Sequence, residues 1–144
     1  MECIQISWKE LEELASEIAE NVKASPIEPK FLYAVDQQSL VPAMLISRKL
    51  EIPITDNCKN NYTLFVSAVV REGKSLISAV DKANCFVTCS FVLKDGASFE
   101  PDFVGKKIGM GDWAVFPWSN EDERFKANVN SENFSNIISK IKGE

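Results

Sequence analysis

Apolar positions along this chain alternate between a helical and an extended rhythm. Leu11, Leu14, Ala15, Ile18, Ala19 and Val22 recur at helical spacing, with glutamates on the opposite face. Ser7, followed three residues later by Glu10, is a capping-box signature that starts this first helix, and Ser25, Pro26 and Pro29 end it. Phe31 to Val35 predicts a buried strand, and a second amphipathic helix begins near Leu40 to Pro42 and runs through Met44 and Leu45 to Leu50. Ile52 to Ile54 predicts a short strand, and Thr55 to Tyr62 (TDNCKNNY) a polar link.

Leu64, Phe65 and Val66 lead into Val69 and Val70 with almost no polar interruption, as in a strand buried on both faces of a parallel sheet. Gly73 then allows a sharp turn before a helix through Leu76, Ile77, Ala79 and Val80. Phe86 to Lys94 predicts a further strand, Asp95-Gly96 a turn, and Pro101 to Gly111 a glycine-punctuated connection. After the segment Asp112 to Trp118 the chain turns polar, and Ser131 caps a last helix with Phe134, Ile137, Ile138 and Ile141 on one face. Strands that each lead into a helix predict an α/β fold with a parallel sheet.

The 144 residues, 45% of them hydrophobic, suit a single domain over residues 1–144. Sixteen basic against 21 acidic residues give a net charge of −5, which argues against nucleic-acid binding. The longest apolar runs fall short of the roughly 20 residues a membrane helix needs, and the N-terminus is not signal-like, so a cytoplasmic location is expected. Cys3, Cys58, Cys85 and Cys89 show no CxxC spacing, and there is no histidine. No zinc cluster or other resident metal is expected, the thiols should be reduced, and Cys85 and Cys89 should be buried in a strand. Without histidine, an enzyme here would depend on carboxylates, lysine or bound Mg²⁺.

Two strand-to-helix turns carry the candidate chemistry. After the long apolar strand, Arg71, Glu72, Gly73, Lys74 and Ser75 place cations and a hydroxyl at a helix N-terminus, where unpaired N–H groups favour an anion. Asp36, Gln37, Gln38 and Ser39 occupy the matching end of the first strand, where open α/β sheets bind ligands. Each also has a plain reading as a polar connection.

The segments FLYAVDQQSLVPAMLISRKLEIPITDN (residues 31–57), FVTCSFVLK (86–94) and PDFVGKKIGMGDWAVFPW (101–118), with the TLFVSAVVREGKSL stretch (63–76), resemble the type I phosphoribosyltransferases. Within that family the sequence is most similar to the small purine enzymes of the xanthine-guanine and hypoxanthine kind, over roughly residues 7 to 118. The resemblance implies a parallel-sheet phosphoribosyltransferase-like fold with a small C-terminal hood. It also implies a site for phosphoribosyl pyrophosphate (PRPP) in the turn after the long strand, with Mg²⁺ present only if PRPP is bound.

The family's strand ends in two acidic residues that face the ribose hydroxyls, and a later acid acts as general base. Here Ser67, Ala68 and Arg71 stand at those positions, so no catalytic residue is assigned. The DQQS turn lacks the family's arginine and two glycines, and Asp36 brings a like charge towards any pyrophosphate. Glu72 replaces the phosphate-loop threonine. Pointed inward at about 4 Å from a phosphate, it would repel by about 4 kcal/mol; it could equally face solvent. Residues 55–62 are too short to form the family's mobile flap. Lys94 matches the lysine that meets the six-position oxygen of the purine, or is an exposed strand-end lysine; Trp113 matches the stacking aromatic, or packs in the core.

Three functions follow from the resemblance. The first is a divergent purine phosphoribosyltransferase-like protein without PRPP chemistry, binding a purine base, a nucleotide or another phosphate-bearing small molecule through residues 36–39, 71–75, Lys94 and Trp113. The second is an active enzyme in which Asp36, Asp56 or Glu72 substitutes for the missing acids. The third is a noncatalytic protein that pairs with itself or a relative, and a homo-oligomer is expected.

Overall fold

The computed structural model of the chain describes residues 2–81 and 86–119. The predicted last helix (Ser131, Phe134, Ile137, Ile138, Ile141), Cys85, and Ala83 and Asn84, which the sequence places near the end of the third helix, lie outside the described residues.

The elements follow the order β1 (Cys3–Gln5), α1 (Trp8–Ala24), β2 (Phe31–Ala34), a 3-10 turn (Gln37–Ser39), α2 (Leu40–Leu50), β3 (Thr63–Val70), α3 (Lys74–Val80), β4 (Phe86–Lys94), β5 (Phe103–Ile108) and β6 (Trp113–Val115). Ser7 caps α1 as its sequence predicts, its Oγ accepting from the Glu10 N–H at 3.1 Å. The stripe from Leu11 to Val22 is buried. Glu10 extends its carboxylate to Lys106 Nζ on β5 at 2.9 Å, which ties the start of α1 to the sheet.

The main sheet is parallel, in the order β2-β3-β4-β5. β3 lies in its interior, and apart from half-buried Val69 all its side chains are buried, as the unbroken apolar run predicts. Leu64, Val66 and Ala68 belong to the larger core under α1 and α2, while Phe65 and Val70 face the smaller core under α3. The alternation slips by one residue near the strand end, since Val69 joins Ala68 on the larger core. β4 slips at the same level, with Phe91 and Val92 both in that core and Leu93 in the other. Ser67 and Ser90, partners in register, each donate from Oγ to the carbonyl two residues on, Val69 O at 3.1 Å and Val92 O at 2.6 Å. Such local distortions re-aim the residues that follow.

Three sequence expectations are corrected. Ile52 to Ile54 does not form a strand: Ile54 makes an isolated parallel bridge to Leu32, with Leu32 N–H on Pro53 O at 2.9 Å and Thr55 N–H on Leu32 O at 2.7 Å. Pro53 has no N–H with which to extend a ladder. The connection Pro101 to Gly111 contains strand β5, which lies parallel beside β4. Gly105 is a point of close approach there, not loop punctuation: a Cβ on it would lie 2.8 Å from Phe91 O and 3.0 Å from Leu14 Cδ2, so α1 could not sit as it does on this strand. The hood is not purely C-terminal either, because β6 pairs in parallel with β1 at the N-terminus, Cys3 opposite Trp113 and Gln5 opposite Val115. Asp112 fastens this pair, its carboxylate accepting from Glu2 N–H at 3.0 Å and Gly109 N–H at 2.9 Å.

Candidate functional site

A cleft of about 240 Å³ opens at the C-terminal end of β3. Asp36 and Gln38 form one wall, Ser67, Val69 and Val70 the floor, and Arg71 to Leu76 the other wall. The fold therefore brings together Asp36, Gln38, Ser67 and the whole Arg71–Ser75 loop. Gln37 is exposed and Ser39 fully buried, and neither lines the cleft.

The Asp36–Ser39 turn is built around its own acid. Asp36 Oδ1 accepts from Ser39 N–H at 3.0 Å and from Ser39 Oγ–H at 2.6 Å, capping the 3-10 turn. Ser39 Oγ in turn accepts from the Ala68 N–H at 2.9 Å. This relay engages one oxygen of the Asp36 carboxylate and satisfies the backbone at one of the two positions the family fills with acids.

In the Arg71–Ser75 turn, Glu72 and Lys74 direct their charges at each other. Gly73 has φ of +99°, the left-handed region that glycine occupies without strain, and it precedes the first turn of α3. Glu72 pairs with Lys74 at 2.9 Å, both side chains largely exposed. The hydrogen bond and charge of Lys74 hold the Glu72 carboxyl below the usual carboxylate range, with a smaller contribution from Lys94. Glu72 thus faces its neighbour rather than the cleft floor, and the inward repulsion weighed from the sequence does not arise in this geometry.

Lys94 and Trp113 do not line the cleft; they adjoin it through Arg71. The Arg71 guanidinium carbon lies 4.9 Å from the Trp113 ring centroid and Lys94 Nζ lies 4.8 Å from it. Trp113 is half-buried, and so is Lys94, so neither is a plain core residue nor a plain surface lysine. The two strand ends that slip in register, β3 and β4, deliver these cations to the hood strand β6.

Ser98 and Phe99 belong to this region and carry no signal in the sequence. Ser98 donates from Oγ and N–H to Glu72 O at 2.7 and 3.3 Å. Phe99 closes over Gly73, its Cβ only 2.8 Å from where a Cβ on Gly73 would sit. The segment between β4 and β5 thus grips the loop, a contact that depends on chain crossing and not on local pattern. The polar link at residues 55–62 knits itself together instead of reaching over the cleft. Thr55 Oγ1 accepts from Asn57 N–H and Asn60 Nδ2 at 3.1 Å each, and Asn57 Oδ1 accepts from Lys59 N–H at 3.0 Å. Asp56 lines a separate hollow beside β2.

The residues present do not fit the Mg²⁺ that accompanies PRPP in the family. Ser67 turns its hydroxyl to Val69 O, Ala68 has no side-chain donor, and Asp36 is held by Ser39. Among the described residues no group of three acidic, cysteine or histidine side chains could hold a metal ion. Cys89 is fully buried, and burial first, with the charge of Asp102 second, raises its thiol pKa far above the ordinary range; it is an inert core thiol. Among the described residues no helix is long and apolar enough to cross a membrane.

No protein-family model and no curated protein matches the sequence. Among solved structures, the chain is similar to a purine phosphoribosyltransferase from Pyrococcus horikoshii, with TM-score 0.72, 20% identity, and coverage of 83% of this chain and 96% of that one. A xanthine-guanine-hypoxanthine phosphoribosyltransferase from Helicobacter pylori gives TM-score 0.70 and 18% identity, covering 88% and 97%. A hypothetical protein from Neisseria gonorrhoeae with bound ppGpp gives TM-score 0.69 and 14% identity, covering 90% and 97%. With its parallel sheet, its cleft at the strand ends and these neighbours, the chain has the type I phosphoribosyltransferase fold.

Proposed function

We propose that this protein is a divergent phosphoribosyltransferase-like protein that has lost PRPP-dependent catalysis and binds a purine base or nucleotide in the cleft between residues 36–39 and 71–75. The observation that carries the reading is the fate of the positions matching the family's acidic pair. Ser67 directs its hydroxyl to Val69 O and Ala68 donates its N–H to Ser39, so these groups are spent on the fold. The acids available as substitutes are also occupied: Asp36 holds Ser39, Glu72 holds Lys74, and Asp56 lies outside the cleft. This weakens the case for an active enzyme.

Support for a retained purine site comes from the fold shared with purine phosphoribosyltransferases and from the neighbour with bound ppGpp. Lys94 and Trp113, at the positions that meet the base in the family, still stand together beside the cleft, next to Arg71. The same proposal takes residues 1–144 as one domain, acting as a homo-oligomer in the cytoplasm.

A ligand that binds only the native state raises its melting temperature by mass action. A thermal-shift titration with purine bases, nucleoside monophosphates, pyrophosphate and PRPP, with and without Mg²⁺, is expected to show a shift with bases or monophosphates. No Mg²⁺-dependent shift with PRPP is expected. Mg²⁺-dependent consumption of PRPP would overturn the loss of catalysis.

A further inference from the structure

The aromatic cluster that follows strand β6 is open on one side. Phe116 is buried, Trp118 stacks on it with 4.8 Å between ring centroids and 8° between planes, and Trp8 leans on Trp118 at 5.9 Å. Trp8, the first residue of α1, nevertheless stays 56% exposed. Trp118 Nε1 is buried and has no acceptor among the described residues. A buried donor without a partner is costly and rare. An exposed indole beside an orphaned one marks a surface that a further segment completes.

The chain itself leaves from this place. Ser119 closes a turn on Phe116, its N–H donating to Phe116 O at 3.0 Å and its Oγ accepting from Phe116 N–H at 3.2 Å. Ser119 is buried, so residues 120–144 set out from beside Trp118. Their sequence offers both things the cluster lacks. Asn120, Glu121, Asp122 and Glu123 bring side-chain acceptors close behind Trp118. Phe134, Ile137, Ile138 and Ile141 recur at helical spacing, an apolar set that needs a surface to cover. Lys140 and Lys142 flank Ile141, while α1 exposes Glu12, Glu13, Glu17 and Glu20. Residues 120–130 can extend to about 36 Å, and α1 is about 25 Å long, so the apolar set has the reach to lie anywhere along that helix.

We propose that the segment after Ser119 docks on its own domain, laying Phe134, Ile137, Ile138 and Ile141 over Trp8 and bringing an acceptor from residues 120–123 to Trp118 Nε1. The contact ties the hood strand to α1. It lies outside the cleft and stands whether or not a purine binds there.

Incorporation of 5-fluorotryptophan into the full chain gives one fluorine NMR signal each from Trp8, Trp113 and Trp118, assigned by Trp8→Phe and Trp118→Phe. Ile137→Asp with Ile138→Asp is expected to move the Trp8 signal by more than its linewidth, while Trp113, whose ring receives Lys94, keeps its shift and reports an intact fold. Where that pair unfolds the chain, Ile138→Ala with Ile141→Ala serves in its place. Ser135→Asp with Ser139→Asp, which adds the same charge away from the apolar set, should leave Trp8 unmoved. A Trp8 signal indifferent to the isoleucine variants, or moved equally by the serine variants, would overturn the docking. A wild-type Trp8 signal that drifts on dilution towards the variant position would give the contact to a second copy and overturn docking within one chain.

Discussion

The turns after β2 and β3 occupy equivalent places at the end of one parallel sheet, yet they spend their charges in opposite ways. Asp36 folds back on Ser39, and Ser39 reaches across to the Ala68 backbone, so an acidic turn becomes an internal clamp. Glu72 and Lys74 pair with each other in solvent, and Arg71 leaves the loop for Trp113. One turn is anchored to the sheet through its buried Ser39, and the other keeps its ion pair at the surface. Sites that look alike in topology are thus separated by where their polar groups find partners.

Breaking the clamp should cost most. Ser39→Ala removes a fully buried hydroxyl, leaves the Ala68 N–H without its acceptor, and takes a charge-assisted bond from Asp36. A loss of about 3 kcal/mol in urea unfolding is expected; a loss near zero would show that water replaces Ser39 and that the turn is not a clamp. Gly73→Ala strikes the second turn through its backbone. The +99° φ and the nearby Phe99 together should cost about 2 kcal/mol, and Phe99→Ala should not recover it, because alanine keeps the Cβ and backbone N that make the contact.

The smallest effect is expected from Glu72→Gln. Its pair with Lys74 is largely exposed and screened by salt, so melting temperature at pH 7 should not change measurably. The folded-state pKa is lowered, so whatever the pair contributes is present above the unfolded glutamate pKa and lost as pH falls through the folded value. Acid unfolding curves of the wild type and Glu72→Gln should therefore overlay closely. A large gap between them at pH 7 that closes in acid would place Glu72 in a buried network and erase the contrast between the two turns.

Much of this was legible from local pattern. The Ser7 cap, the α1 stripe and the uninterrupted β3 run are short-range features, and each appears where its residues place it. β5 was missed because Gly105 reads as a loop signal, although it is glycine to admit Leu14 and the Phe91 carbonyl. The strand forecast at Ile52–Ile54 failed because apolar character outweighed the missing Pro53 donor. At the cleft, the residues to watch were legible, but not which of them face it. Ser39 looked like a ligand contact and is a buried relay, while Ser98, unmarked in the sequence, grips the loop.

By itself, then, the amino-acid order determined the strand-helix alternation, the parallel sheet and the replacement of the acidic pair by Ser67 and Ala68, because these depend on periodicity and residue identity alone. Only the tertiary structure decided that β1 completes the hood, that Asp36 binds Ser39 and Glu72 pairs with Lys74, and that Arg71 and Lys94 meet on Trp113. Those outcomes depend on groups far apart in the chain, and on which buried donor or acceptor must be satisfied once the strands lie side by side.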